Sequence, residues 1–161
     1  MLNEAENAAP LYAEAFAALA PVEATSPSFL AQTQKALELL HQAVSRKKCR
    51  YPIDLTKGHA TIVPHLSKIK KSVQLLSQAA NSHAAKGQMG PAAQSLLDGL
   101  HLARSLEEEP FLISYLVRNA MEAIIKNGLE AVLNRKAFTD EQLVRLQAAF
   151  REAESRGLMT R

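Results

Sequence analysis

The sequence predicts an all-α protein of about six antiparallel helices, and three observations carry that expectation. Apolar residues recur at steps of three and four in one stretch after another, which places them on single helix faces. The 7 prolines and 6 glycines fall mostly at the ends of those stretches. Alanine and leucine dominate, whereas five Phe, three Tyr and no Trp leave little for an aromatic-rich β core. At 161 residues the chain reads as one helical domain, 1–161, long enough to bury roughly 70% of its unfolded surface.

Asn3 to Glu6 reads as a capping box, with Asn3 as the cap and Glu6 reaching back. Tyr12, Phe16 and Leu19 then form a modest stripe on an alanine-rich first helix that ends near Pro21. Pro10 either opens that helix or kinks it. Ser26-Pro27 supplies a hydroxyl cap and a first-turn proline for the second helix. Leu30, Leu37, Leu40 and Val44 are its expected core face, and it should run to about Lys47. There Arg46, Lys47 and Lys48 oppose the negative pole of the helix dipole. Residues about 48–63 form the longest stretch without helical periodicity, and long links in small helical domains are often functional.

The third and fourth helices carry the clearest hairpin. Leu66, Ile69, Val73, Leu76 and Ala80, with Leu75 and Ala79 beside them, share one face; Lys68, Lys70, Lys71 and Gln74 point elsewhere. Pro64 suits the first turn. Ala93, Leu96, Leu97, Leu100, Ala103 and Leu106 repeat the pattern after Lys86-Gly87-Gln88-Met89-Gly90-Pro91. Gly87 closes the first arm and Pro91 opens the second. Ala80, Gly87, Ala92 and Gly99 also stand at the spacings of small residues in the tetratricopeptide pattern, with Leu96 where that pattern has Phe. Leu76, Ala79, His83 and Arg104 depart from it. The pair therefore resembles one tetratricopeptide-like hairpin, within a bundle or a short arrangement of that kind.

Glu107-Glu108-Glu109 precedes Pro110 and favours a helix start. The fifth helix, about Pro110 to Arg135, shows Ile113, Leu116, Val117, Ala120 and Ile124 toward Val132 as its core stripe. Arg118, Glu122, Lys126 and Glu130 alternate in sign on the expected wet face. Gly128 suggests a close neighbour or a slight bend. Thr139-Asp140-Glu141-Gln142 is a second capping box, with Phe138 and Leu143 as a hydrophobic staple. Leu143, Leu146, Phe150 and Ala153 form the stripe of the sixth helix, Gly157 ends it, and residues about 157–161 should fray.

A second resemblance spans most of the chain. Residues 6–12, 49–54, 64–66 and 112–114 together look like an uncharacterised group of bacterial proteins that often carry a helical region behind a membrane anchor. The resemblance implies an exported or surface-tethered helical domain, and it brings no activity or catalytic residues. As written, the chain shows no apolar run near the ~20 residues of a membrane span and no signal-peptide layout, and so reads as soluble. One cysteine, Cys49, excludes an internal disulfide framework and a cysteine-rich zinc site. The formal charge of +3 is too mild to favour nucleic acid by itself.

Three groups of residues suggest chemistry. Glu38-x-x-His41 and Asp98-x-x-His101 each place an acid and an imidazole on one helix face, as di-iron bundles do, with Glu14, Glu122 or Glu130 to complete the set. The loop cluster Cys49, Arg50, Asp54, His59 and His65 contains a nucleophile, a base and an orienter by residue type. Its structural alternative is a buried Cys49 and an Arg50–Asp54 pair. The basic run 46–50, with Tyr51 available for stacking and Lys68, Lys70 and Lys71 nearby, suggests an anion or nucleic-acid surface. No Gly-rich phosphate loop, H-E-x-x-H, paired C-x-x-C or G-x-S-x-G is present, and the sequence points to no catalytic residue and no cofactor. A non-enzymatic module holding a protein partner, through a helix groove or the 49–64 loop, is the favoured expectation. It requires an exposed apolar or mixed patch larger than the few hundred square ångströms a monomer usually shows. A metal-binding bundle and an anion-binding surface are the alternatives.

Overall fold

Six helices form in the computed structural model, which describes residues 6–19, 28–46, 48–53, 56 and 63–158, the side chains of 156–158 excepted. They are α1 (Ala9–Ala17), α2 (Phe29–Val44), α3 (His65–Ala85), α4 (Met89–Arg104), α5 (Leu112–Leu133) and α6 (Asp140–Leu158). No strand occurs among the described residues; one isolated bridge pairs Asn7 with Lys48. The Asn3 cap, Pro21, Ser26-Pro27, Lys47, Asp54, His59 and the tail beyond 158 lie outside the described residues.

Pro10 opens α1 rather than kinking it, because it occupies the first turn. α2 starts at Phe29, later than the Ser26-Pro27 signal suggests, and ends at Val44. Its buried face is Phe29, Thr33, Ala36, Leu40 and Ala43. Leu30 and Leu37 are only partly buried against the core. α2 packs against α1 and α4, with the small Ala36 and Ala43 and the larger Leu40 fully buried and Leu30, Leu37 and Leu39 at the margins.

The hairpin forms as the spacing predicts. All seven apolar positions expected to face inward from α3 are buried, and so are the six expected after the turn. The turn is a Schellman motif: Gly87 N–H donates to the Ala84 carbonyl at 2.9 Å and Gln88 N–H to that of His83 at 2.9 Å. Gly87 has φ +77°, a conformation that a side chain disfavours. α4 packs against α2, α3, α5 and α6. It is accordingly buried nearly all round, including Ser95, Asp98 and Gly99. At Gly99 a Cβ would strike the end of Ile125, and at Gly128 it would strike the Ser77 hydroxyl, with the Ser77 Cβ only 3.3 Å away.

α5 departs most from the sequence expectation. Its buried face is Ser114, Arg118, Met121, Ile125, Gly128 and Val132. Ile113 and Leu116, expected in the core, are exposed, while Arg118, expected in water, is buried. The helix sits about 100° round from the predicted setting, one residue's turn, because only the Gly128 face lets α5 approach Ser77 of α3. α6 begins as predicted. Thr139 Oγ1 accepts from Gln142 N–H at 3.3 Å, and the Gln142 side chain accepts from Thr139 N–H at 3.0 Å. Phe138 is buried beside it. The helix runs one residue past Gly157, to Leu158.

The packing glycines are separable by mutation. Gly128→Ala should destabilise the fold by about 1–3 kcal/mol through overpacking, despite the ~1 kcal/mol better helix propensity of alanine. Gly90→Ala, whose Cβ would meet only Gln142 at 3.9 Å, should be neutral or stabilising. Urea midpoints of the two variants check the contrast.

Candidate functional site

The non-helical segment 48–51 is stitched to the start of α1. Ala8 N–H donates to the Lys48 carbonyl at 2.9 Å. The Asn7 side chain acts as a surrogate peptide: its Oδ1 accepts from Arg50 N–H at 2.9 Å and its Nδ2 donates to the Arg50 carbonyl at 3.2 Å. The same Oδ1 accepts from Ala9 N–H at 3.1 Å, an Asx-type turn that satisfies the first amide of α1. Tyr51 is thereby turned inward, stacked between Tyr12 and His65 with centroids 6.5 and 4.5 Å away. Its hydroxyl meets Ser105 Oγ at 2.9 Å. Ser105 spends its own proton on the Leu102 carbonyl, so Tyr51 is the donor. Burial pushes the Tyr51 hydroxyl pKa well above its usual value. Tyr51 is therefore a core residue and not an exposed stacking platform for a base.

His65 opens α3 and faces the link between α4 and α5. Its Nε2 lies 2.6 Å from Glu109 Oε1, and Ser114 donates its hydroxyl to Glu109 Oε2. Both ionisable side chains are nearly buried, 11% and 8% exposed. The Glu109 carboxylate sits between imidazole and hydroxyl, one oxygen on His65 and the other accepting from Ser114. Cys49 lies beside Tyr51, and burial pushes its thiol up to about 11, away from the reactive thiolate. Of the predicted loop group, Cys49 and His65 thus flank Tyr51 as structural neighbours. Arg50 is exposed and held through its backbone. Two clefts border the segment: one of about 370 Å³ against Ile53, Glu108 and Pro110, and a smaller one of about 150 Å³ where Arg46, Lys48 and Arg104 face Glu107 and Glu108.

The second predicted group converges in part. His41 Nδ1 meets Asp98 at 3.0 and 3.2 Å, linking α2 to α4, and Gln94 donates to Asp98 at 2.8 Å. Glu38 points outward to Gln34 at 2.7 Å. His101 lines the smaller cleft, its pKa lowered by burial and then by Arg104. Among the described residues, no three His, Cys, Asp or Glu side chains gather as a metal-binding group. Burial raises the Asp98 carboxyl above the usual range against the opposing pull of Gln94 and His41. Lys68, Lys70 and Lys71 are exposed on α3.

The remaining candidate is the first half of α5. Leu112 is 74% exposed, Leu116 52%, Ile113 49% and Tyr115 41%. Beneath them Arg118 is 5% exposed, and its Nε has no hydrogen-bond partner, the one buried side-chain nitrogen or oxygen so placed among the described residues. Glu122 Oε1 lies 3.7 Å from that nitrogen, close enough to attract and too far for a hydrogen bond. The Tyr115 ring centroid is 5.4 Å from the guanidinium carbon. Reading by residue type anticipated the Arg118–Glu122 pair but missed the Glu109–Ser114 contact and the burial of Arg118. The available signal was Arg118 alone among apolar neighbours. No family, no curated protein and no solved structure matches the chain.

Two measurements test these environments. At pH 8 iodoacetamide should alkylate Cys49 in the folded protein about a hundredfold more slowly than in urea, given a thiol near 11; equal rates would contradict its burial. Asp98→Asn should raise the melting temperature at pH 7. The folded carboxyl holds its proton more tightly than the unfolded one, so stability falls as pH rises through its raised pKa. The advantage of Asn should therefore shrink as pH drops toward the ordinary carboxylate range.

Proposed function

We propose that the protein is a non-enzymatic interaction module that holds a protein partner on the outer face of α5. The observation that supports this most is an inversion within one helix. Over its first turns α5 turns Ser114 and Arg118 inward and Leu112, Ile113 and Leu116 outward. Further along, Met121, Ile125 and Val132 face inward and Lys126, Asn127 and Glu130 outward. Single exposed leucines need no explanation, but a continuous apolar rim on one face marks an interaction surface. Of the clefts beside segment 48–51, the smaller is ringed by charged side chains, and the buried polar groups of the larger, Tyr51, Ser105 and Glu109, are engaged with one another or with His65 and Ser114.

Photo-crosslinking tests the reading. A benzophenone amino acid replacing Leu116 should give a discrete protein adduct in the native cell, and one replacing Glu130 should not. Leu112→Asp in the same chain should abolish that adduct. It should shift stability by no more than about 0.5 kcal/mol, as a surface change does. Adducts of equal yield at both positions would rule out a specific face.

A further inference from the structure

We infer that the smaller cleft, where α1, residues 46–49 and the end of α4 meet, is a binding site for a small phosphate, free or as a compact ester. No described residue of α5 lines it, so it stands independently of the docking face. The charges that make this cleft unfit for an apolar partner suit it to an anion. Arg46, Lys48 and Arg104 line it. Arg46 is half-buried and Lys48 exposed, and neither side chain makes an ion pair or hydrogen bond among the described residues. Arg104 binds Glu152 through its two terminal nitrogens, at 3.2 and 3.1 Å, and keeps further N–H groups. The Tyr12 hydroxyl points most directly to a ligand. Tyr12 lines the cleft and is only 3% exposed. Its ring stacks on Phe16 and Tyr51, yet its hydroxyl makes no hydrogen bond among the described residues. That oxygen is not sealed in, because the one sealed and unpartnered side-chain atom among those residues is Arg118 Nε. It therefore keeps access to solvent from the wall of the cleft, and a donor so placed is normally satisfied.

Two acids also line the cleft, and they do not cancel this set. Glu107 has a partner of its own, and Glu108 is exposed, where salt and water screen it. The half-buried Arg46 is screened less. His101 adds a neutral donor, since burial and then Arg104 lower its pKa. The donors thus come from three parts of the chain: α1, the segment after α2, and α4. A carboxylate has two oxygens in one plane, which a single guanidinium fork fills. A tetrahedral phosphate offers oxygens in several directions, and Arg, Lys and Tyr side chains are among those that bind them. The volume of about 150 Å³ is below the ~300 Å³ at which pockets for drug-sized ligands begin. A compact phosphate fits there, and a nucleotide does not.

Titration of the full chain with inorganic phosphate, followed by amide chemical shifts at constant ionic strength, tests the inference. Shifts at Tyr12 and residues 46–49 should saturate, and acetate should bind about tenfold more weakly. Arg46→Gln and Tyr12→Phe should each weaken phosphate about tenfold, as loss of a charge-assisted hydrogen bond does. Both remove polar atoms that bond to nothing in the described fold, so the melting temperature without phosphate should hold. The rise that phosphate gives the parent chain should shrink in both. Leu112→Asp should leave phosphate binding unchanged, which separates this site from the docking face. Glycerol 3-phosphate binding more tightly than phosphate would assign the group to an ester, and binding more weakly to the free anion; either upholds the inference. Shifts that grow linearly with phosphate, equal binding of acetate, or parental affinity in either variant would overturn it.

Discussion

The architecture depends on how closely three helix backbones approach. At Gly99 the space of a side chain is taken by Ile125 of α5, and at Gly128 it is taken by Ser77 of α3. The two contacts interlock α3, α4 and α5 so that each helix fills a gap in another. Around them Ala79, Ala80, Ala92 and Ala103 are fully buried and keep the α3–α4 seam narrow. Close packing of this kind tolerates little volume change. It therefore sets the rotation of each helix as well as its position.

That constraint reaches the candidate site through α5. Gly128 fixes the rotation of the helix at one end. At the other, Ser114 is tied to Glu109, which His65 of α3 holds. A helix pinned on one side at both ends presents the opposite side whatever residues stand there. Leu112, Ile113 and Leu116 are outside for this reason, and Arg118 is inside. The outward apolar rim is thus a consequence of packing elsewhere, retained at the cost of an incompletely paired guanidinium.

How much of this was legible varies by element. Both arms of the hairpin could be read because their apolar stripes are single, so only one rotation buries them. The Thr139 capping box could be read because it is a local hydrogen-bond pattern. α5 carries two apolar stripes, and periodicity chose the longer one: Ile113, Leu116, Val117, Ala120, Ile124. Nothing in the period reports that Gly128 needs to face Ser77. α2 was legible in part: Leu40 is buried as expected and Leu30 and Leu37 pack at the core's edge, whereas Ala36 and Ala43 count little on an apolar scale and yet are fully buried. In the loop group, residue types pointed to Cys49 and His65, and both do sit around Tyr51. Their chemistry was not legible because it depends on partners remote in sequence: Asn7, Ser105, Glu109 and Ser114.

The contrast between the two polar groups decides where a ligand is expected. Around Tyr51 the donors and acceptors find one another: tyrosine to serine, serine to backbone, imidazole and hydroxyl to one carboxylate. A group satisfied in this way has little to gain from a newcomer, and opening it would expose a buried acid and imidazole. At Arg118 the balance runs the other way. Its Nε has no hydrogen-bond partner among the described residues and Glu122 stands 3.7 Å away, so the buried charge is met by an ion pair without a hydrogen bond at that nitrogen. The segment around Tyr51 is thus closed on itself although it carries the more chemically suggestive residues, whereas the exposed apolar side chains lie on α5.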